Sequence, residues 1–74
     1  MTLKGKYFMF SASDKETYNR FIHVKRENYG IIVCTLLVPE RPHTKESTVL
    51  WDPSDLEGAV EIPESAYKKA LKSL

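Results

Sequence analysis

One stretch of the chain decides the fold: Ile31-Ile32-Val33-Cys34-Thr35-Leu36-Leu37-Val38. Seven of its eight residues are apolar, and four of those seven are β-branched, a composition typical of a β-strand. Successive side chains of a strand point to opposite faces of the sheet, and here neither alternate set is polar. A strand with one face in water would alternate apolar and polar residues. We therefore expect both faces to be covered, one by the core of the sheet and the other by a helix, a second sheet or a partner chain.

The preceding segment is suited to pair with this strand. Ile22 and Val24 lie on one face of it, and a tight reversal at residues 28–30, which ends in glycine, leads into the apolar stretch. Glycine adopts the positive φ that a short hairpin loop needs. A loop of three residues would place Val24 opposite Cys34 and Ile22 opposite Leu36. Apolar side chains then face apolar side chains, so we predict an antiparallel hairpin in this register.

The rest of the chain predicts three more strands and one helix. Pro39 ends the apolar strand because it lacks a backbone donor, and residues 39–47 form a long polar loop. The helix starts at Pro63, and its apolar stripe consists of Ala66, Tyr67, Ala70, Leu71 and Leu74. A helix this short needs to dock on the sheet to be stable. The predicted strands are residues 4–10, 18–26, 31–38, 48–51 and 59–62.

These elements predict an α+β fold in a single domain, residues 1–74. We expect a small, strongly bent antiparallel sheet of about five strands with one C-terminal helix. The order of elements resembles that of SH3-like barrels, which implies an SH3-like or partly open barrel. The chain has neither the acidic loop nor the tryptophan pair of the peptide-binding members of that group.

Composition restricts the class of protein. The chain of 74 residues is 42% apolar and 28% charged, as in folded domains, and its net charge of +1 is too small to drive non-specific binding to nucleic acid or membranes. The lone Cys34 excludes an intrachain disulfide. No apolar run approaches the ~20 residues of a membrane span, and the first residues lack the apolar core of a signal peptide. We expect a cytoplasmic protein that does not contact membranes.

Residues that could carry chemistry are few and scattered. His23, His43 and Cys34 do not have the spacing of zinc ligands, and residues 52–55 fit a turn better than a calcium loop. The glycines do not form a phosphate-binding loop. We therefore expect no catalytic residues, no metal and no cofactor, and we predict that the protein is not an enzyme.

The first two strands are rich in aromatic and basic residues. Aromatic rings that stack on bases, next to cations that follow the phosphates, are used by small β-domains to bind single strands. The phenylalanines are needed for the core, so the exposed candidates are the tyrosines near turns and the polar residues around them. The predicted binding surface consists of Tyr18, Arg20, His23, Lys25, Tyr29, Arg41 and His43.

Three functions remain open from the sequence. The first is a small non-enzymatic protein-interaction module, such as an inhibitor, an adaptor or an accessory subunit. It is favoured because the apolar faces of the strands exceed what one helix covers, so we expect a protein partner or self-association as a homo-oligomer. The second is a single-stranded nucleic-acid-binding domain that uses the basic and aromatic surface. The third, a small oligomeric enzyme, is the least favoured.

The single tryptophan is predicted to belong to the core. Trp51 closes the fourth strand immediately before a proline turn, where a large ring can cover the open end of a small sheet. Leu50 and Trp51 point to opposite faces. We expect Tyr67 and Leu71 of the helix to contact one of these two residues.

Overall fold

The computed structural model describes residues 3–13, 17–41 and 45–73. Its elements are β1 (Tyr7–Phe10), β2 (Arg20–Asn28), β3 (Ile31–Leu37), β4 (Ser47–Trp51), a 3₁₀ turn (Pro53–Leu56), β5 (Val60–Ile62) and α1 (Glu64–Lys72). Every predicted element is present, and its ends differ from the predicted ones by a few residues at most. Within the described ranges, no helix has the length and apolar composition needed to cross a bilayer.

The strands form one antiparallel sheet in the order β4-β3-β2-β1-β5. The α+β class is therefore confirmed. The sheet is not closed into a barrel, so the SH3-like expectation is not supported. Closure would require the two edge strands to pair with each other. The three residues of β5 pair with β1, and β4 pairs with β3.

A contact between two aromatic rings indicates the curvature of the sheet. The rings of Phe10 on β1 and Trp51 on β4 meet edge to face, with their centroids 6.3 Å apart. Adjacent strands are spaced about 4.8 Å apart, so a flat sheet would hold the backbones of these two strands about 14 Å apart. The contact therefore indicates that the sheet curls toward the face that carries both rings. We call this the concave face.

The β2–β3 hairpin has the predicted register but reaches it by a different route. Val24 lies opposite Cys34, and Ile22 lies opposite Leu36. The turn contains two residues, Tyr29 (φ 51°) and Gly30 (φ 79°), both with the positive φ of a type I′ turn. A β-bulge between Val24 and Arg26 supplies the residue that the shorter loop omits.

Each face of β3 carries a buried cluster, although the end of the strand at Ile31 stays exposed on one face. The concave face carries one buried cluster, which the turn residue Leu56 covers; the cluster comprises Phe8, Ile22, Val24, Ile32, Cys34 and Leu56. The opposite face is covered by α1, and we call it the helix face. Its buried cluster is smaller and comprises Leu37, Tyr67 and Ala70, with Tyr7, Phe21 and Ile62 packed against it.

Trp51 lies on the concave face, half-buried against the larger cluster, so its predicted place in the core is confirmed. The expected contact with the helix is wrong for Trp51, because α1 packs on the other side of the sheet. Leu50 does point to the helix face, but its side chain is 70% exposed. The helix covers the part of the sheet around Leu37 and leaves Leu50 open.

We predict that Trp51→Ala lowers the free energy of unfolding by about 3 kcal/mol, because the ring fills the space between Phe10 and the concave cluster. Leu50→Ala is the matched control on the same strand. Its exposed side chain should contribute only about 0.5 kcal/mol. Urea unfolding followed by circular dichroism measures both. Equal midpoints for the two variants would show that the Trp51 ring does not support the core.

Candidate functional site

The predicted binding surface is divided between the two faces of the sheet. Arg20 lies on the concave face, with its guanidinium carbon 4.8 Å from the centroid of the Phe10 ring and its Nε buried without a hydrogen-bond partner among the described residues. His23 lies on the helix face, stacked on Tyr7 at a centroid distance of 4.2 Å. The odd spacing of these two residues along β2 sends their side chains in opposite directions.

The remaining predicted residues are also dispersed. Lys25 is exposed at the β-bulge, and Tyr29 is 97% exposed at the tip of the hairpin. Tyr18 is half-buried before β2, and Arg41 is exposed in the loop after β3. His43 lies outside the described residues. The structure therefore does not bring the predicted residues together as one surface.

The helix is attached to the sheet through a buried tyrosine. The hydroxyl of Tyr67 donates to a carboxylate oxygen of Glu46 at 2.5 Å and lies 2.8 Å from the hydroxyl of Thr35. Because Tyr67 has one proton to donate, the Thr35 hydroxyl donates to it in turn. Thr35 is a buried polar residue, and this contact satisfies its hydroxyl inside the apolar interface.

Aromatic rings surround this hydrogen-bonded group. Tyr7 and His23 lie 5.2 Å and 5.8 Å from the ring of Tyr67, measured between centroids. The hydroxyl of Tyr7 donates to Glu64 at the first turn of α1, at 2.9 Å. Polar and aromatic contacts thus hold the helix at one position on the sheet.

The protonation of this cluster follows from its burial. Burial, followed by the hydrogen bond to Glu46, raises the pKa of Tyr67. Burial, followed by the charge of Lys25, lowers the pKa of His23, although Glu46 and Glu64 oppose that shift. On the concave face, burial raises the pKa of Cys34 to about 11, so its thiol stays protonated. These groups are held in their neutral forms, which suits packing better than proton transfer.

The direction of the backbone groups across the sheet follows from two hydrogen bonds. The N–H of Val24 donates to the carbonyl of Lys6 at 3.0 Å, and the carbonyl of Val24 accepts from the N–H of Gly5 at 2.8 Å. Both backbone groups of Val24 therefore point toward β1. In an antiparallel ladder this direction alternates from residue to residue, so those of His23 point toward Thr35 on β3.

The same alternation identifies the free groups at the edge of the sheet. Since the backbone N–H and C=O of Thr35 point toward β2, those of its neighbour Cys34 point toward Val49 on β4. The backbone groups of Thr48 and Leu50, on either side of Val49, point away from the sheet. Within the described residues, β4 is an edge strand, and these donors and acceptors have no strand beside them.

An apolar patch adjoins this edge where the helix does not reach. Leu50 is paired with Val33 across the strands and is 70% exposed, and Ile31 on the same face is 48% exposed. We call these three residues the distal patch. Contiguous exposed apolar side chains on a small domain mark a surface suited to a partner. Tyr29 lies beside the patch at the tip of the hairpin, and its positive φ is unfavourable for a residue with a bulky side chain.

A second apolar surface is a groove of about 540 Å³ between α1 and the end of β3. Phe21, Pro39 and two alanines of the helix line it, with Lys69 and Glu40 at the rim. It lies at the other end of the helix face from the distal patch. The groove and the patch are both lined mainly by side chains that the sequence analysis assigned to the core or to a loop.

Comparison of the chain with protein-family profiles, with curated proteins and with solved structures gives no match. The candidate site is therefore defined by geometry. It consists of the outward backbone groups of Thr48 and Leu50 together with the distal patch. Sequence reasoning missed it because the exposed edge depends on the order of the strands. The one available signal was that β4 contains neither a charged residue nor a proline.

We predict that Tyr67→Phe lowers the free energy of unfolding by about 2 kcal/mol, because it leaves the buried Thr35 hydroxyl without its partner. Tyr7→Phe is the control, since its hydroxyl bonds to Glu64 at an exposed position and its loss should cost less. Urea unfolding at neutral pH measures both variants. A larger loss for Tyr7→Phe than for Tyr67→Phe would contradict the anchoring role of Tyr67.

We also predict that stability falls as the pH drops below about 6.5, the ordinary pKa of histidine. The folded protein lowers the pKa of His23, so the unfolded chain takes up the proton first and is favoured in acid. His23→Phe keeps a ring against Tyr7 but does not titrate. Unfolding free energies between neutral pH and about pH 5 should therefore vary less in this variant. Identical pH profiles would mean that His23 does not contribute.

Proposed function

We propose that the protein is a small non-enzymatic protein-interaction module that binds an extended segment of its partner at the free edge of β4. Its role would be that of an inhibitor, an adaptor or an accessory subunit. The observation that carries the proposal is the row of outward backbone donors and acceptors at Thr48 and Leu50, next to the exposed distal patch. An extended segment added at such an edge gains main-chain hydrogen bonds, and pockets or patches for alternate side chains supply specificity.

The character of β4 supports this role. Exposed edges are usually protected by lysine, proline, a bulge or very short length. The sequence of β4, Ser-Thr-Val-Leu-Trp, contains no charge and no proline, and its five residues pair with β3 without a shift of register. The other edge strand, β5, has three residues, one of which is Glu61, paired with Lys6 at 3.5 Å. The two edges therefore differ in how open they are to a partner strand.

The titratable groups support a structural rather than a chemical role. The Tyr67 hydroxyl is bonded on both sides, the ring of His23 is stacked, and the Cys34 thiol is fully buried with a raised pKa. Each group is used in packing the sheet or attaching the helix. A single-stranded nucleic acid would need aromatic and basic residues on one surface, whereas Arg20 and His23 lie on opposite faces.

The test uses the ¹⁵N-labelled protein at a concentration at which it is monomeric. The probe is a short peptide of alternating threonine and valine, with lysines at its ends for solubility. We expect the amide signals of Thr48 and Leu50 to shift most, because their N–H groups gain carbonyl acceptors. Thr48→Pro should weaken binding by about tenfold or more, since it removes an outward donor and none of the hydrogen bonds to β3.

A parallel titration with oligothymidylate separates the two classes of ligand. If the oligonucleotide shifts the amides of Lys25 and Tyr29 while the peptide leaves Thr48 and Leu50 unchanged, the protein is a nucleic-acid binder and the proposal is wrong. Peptide-induced shifts confined to the groove beside α1 would also contradict it. Circular dichroism of Thr48→Pro checks that the variant retains its fold.

A further inference from the structure

The free edge of β4 is complementary to itself. We propose that its occupant is β4 of a second copy of this chain, paired antiparallel about a two-fold axis that passes through Val49. This inference rests on the proposed function, because it names the partner for the same edge. Two-fold pairing places one surface against an identical one, so each outward group has to meet an outward group of the other copy.

The backbone meets this condition at Val49. When the axis passes there, Thr48 of one copy lies opposite Leu50 of the other, and the reverse holds across the axis. Both residues point their N–H and C=O outward, and opposed residues of this kind exchange both hydrogen bonds. All the outward groups of the two residues are then used in both copies. An axis at Thr48 would place Leu50 opposite Glu46, which lies outside the strand. An axis at Leu50 would place Thr48 opposite Asp52, which also lies outside it.

The side chains fit the same arrangement. On the helix face, each Leu50 lies diagonally across the axis from its counterpart, a separation that large side chains bridge. Each leucine is 70% exposed in the single chain, so the contact removes exposed apolar surface from water. On the concave face, the half-buried Val49 side chains lie opposite each other and join the two apolar clusters.

No charge within β4 opposes the approach of two copies. The five residues of β4 are uncharged, and the whole chain carries a net charge of +1. In this register Glu46 of one copy lies opposite Asp52 of the other, beyond the paired residues. Each carboxylate is held within its own chain, because Glu46 accepts from Tyr67, and Asp52 accepts from the backbone and side chain of Ser54. The edge strand β5, in contrast, contains a charged residue, Glu61, which forms an ion pair with Lys6. A second copy is therefore expected at β4 and not at β5.

The contact is small for a permanent dimer. Two strands of five residues and their flanking side chains bury less than the roughly 1,200 Å² of a standard interface. We therefore expect a reversible dimer that dissociates on dilution in the micromolar range. An interface of this kind lets a longer or better-matched strand from another protein displace the second copy.

Analytical ultracentrifugation over a range of concentrations tests the inference on the intact chain. We expect the wild type to pass from monomer to dimer. Leu50→Lys and Thr48→Pro should each raise the dissociation constant by about tenfold or more, the first by placing two charges near the axis and the second by removing outward donors. Val60→Lys is the matched control, because Val60 is a 58% exposed apolar residue on the other edge strand, and it should leave dimerisation unchanged.

The outcomes separate this inference from the proposed function. A wild type that stays monomeric up to millimolar concentration overturns the second copy as occupant, while peptide-induced shifts at Thr48 and Leu50 would still support strand addition. A dimer that both β4 variants leave intact places the interface elsewhere and overturns the inference as well. Circular dichroism of the two variants confirms that they are folded, as expected for changes at exposed groups.

The position of the axis is tested by disulfide formation. Val49→Cys is made in a Cys34→Ala background, because the two residues are paired neighbours and would otherwise react within one chain. With the axis at Val49, the two introduced cysteines lie directly opposite each other. Their Cα atoms are then about 4.5 Å apart, a distance suited to a disulfide. Leu50→Cys in the same background is the control and should cross-link more slowly. Faster cross-linking of the control would place the axis at another residue.

Discussion

Strand β3 has no polar face, and that constraint organises the rest of the structure. β3 offers Ile32 and Cys34 to one side of the sheet and Thr35 and Leu37 to the other, and all four are buried. In a domain of this length, one side is closed by bending the sheet over itself and by the 3₁₀ turn that carries Leu56. The other side is closed by the helix. Neither cover would be stable alone, because each depends on the strand it covers.

The helix covers its side only in part, and this incomplete cover links the fold to the proposed function. Nine residues of helix reach from the groove beside Pro39 to the aromatic cluster at Tyr67. Beyond it the helix face continues to Leu50 and Ile31, which remain in contact with water. The polar anchor formed by Tyr67, Thr35 and Glu46 fixes the helix at this position, so it cannot slide to cover the distal patch.

The sequence was sufficient for the elements, their type and the register of the central hairpin, because alternation, turn residues and helical spacing are local signals. The register of Val24 and Cys34 was correct even though the loop was assigned three residues, since the bulge at Lys25 offsets the shorter turn. The binding surface was not predictable in the same way. The opposite orientation of Arg20 and His23 follows from strand alternation and could have been predicted. The position of β4 at the edge of the sheet could not, because it depends on long-range pairing. The SH3-like resemblance likewise depended on closure, which no local pattern encodes.

The neighbouring positions of the first and last strands have a consequence for how the chain folds. β1 lies between β2, its neighbour in sequence, and β5, whose residue Ile62 pairs with Tyr7. The pairs β1–β2, β2–β3 and β3–β4 link consecutive strands and close comparatively short loops. The β1–β5 pair closes a loop that contains almost the whole domain, and the entropy lost grows with loop length. Pairing of this kind slows folding, so the four-strand meander of β1 to β4 is expected to assemble before β5 and the helix join it. During synthesis, β1 could pair with β5 only after most of the chain had left the ribosome.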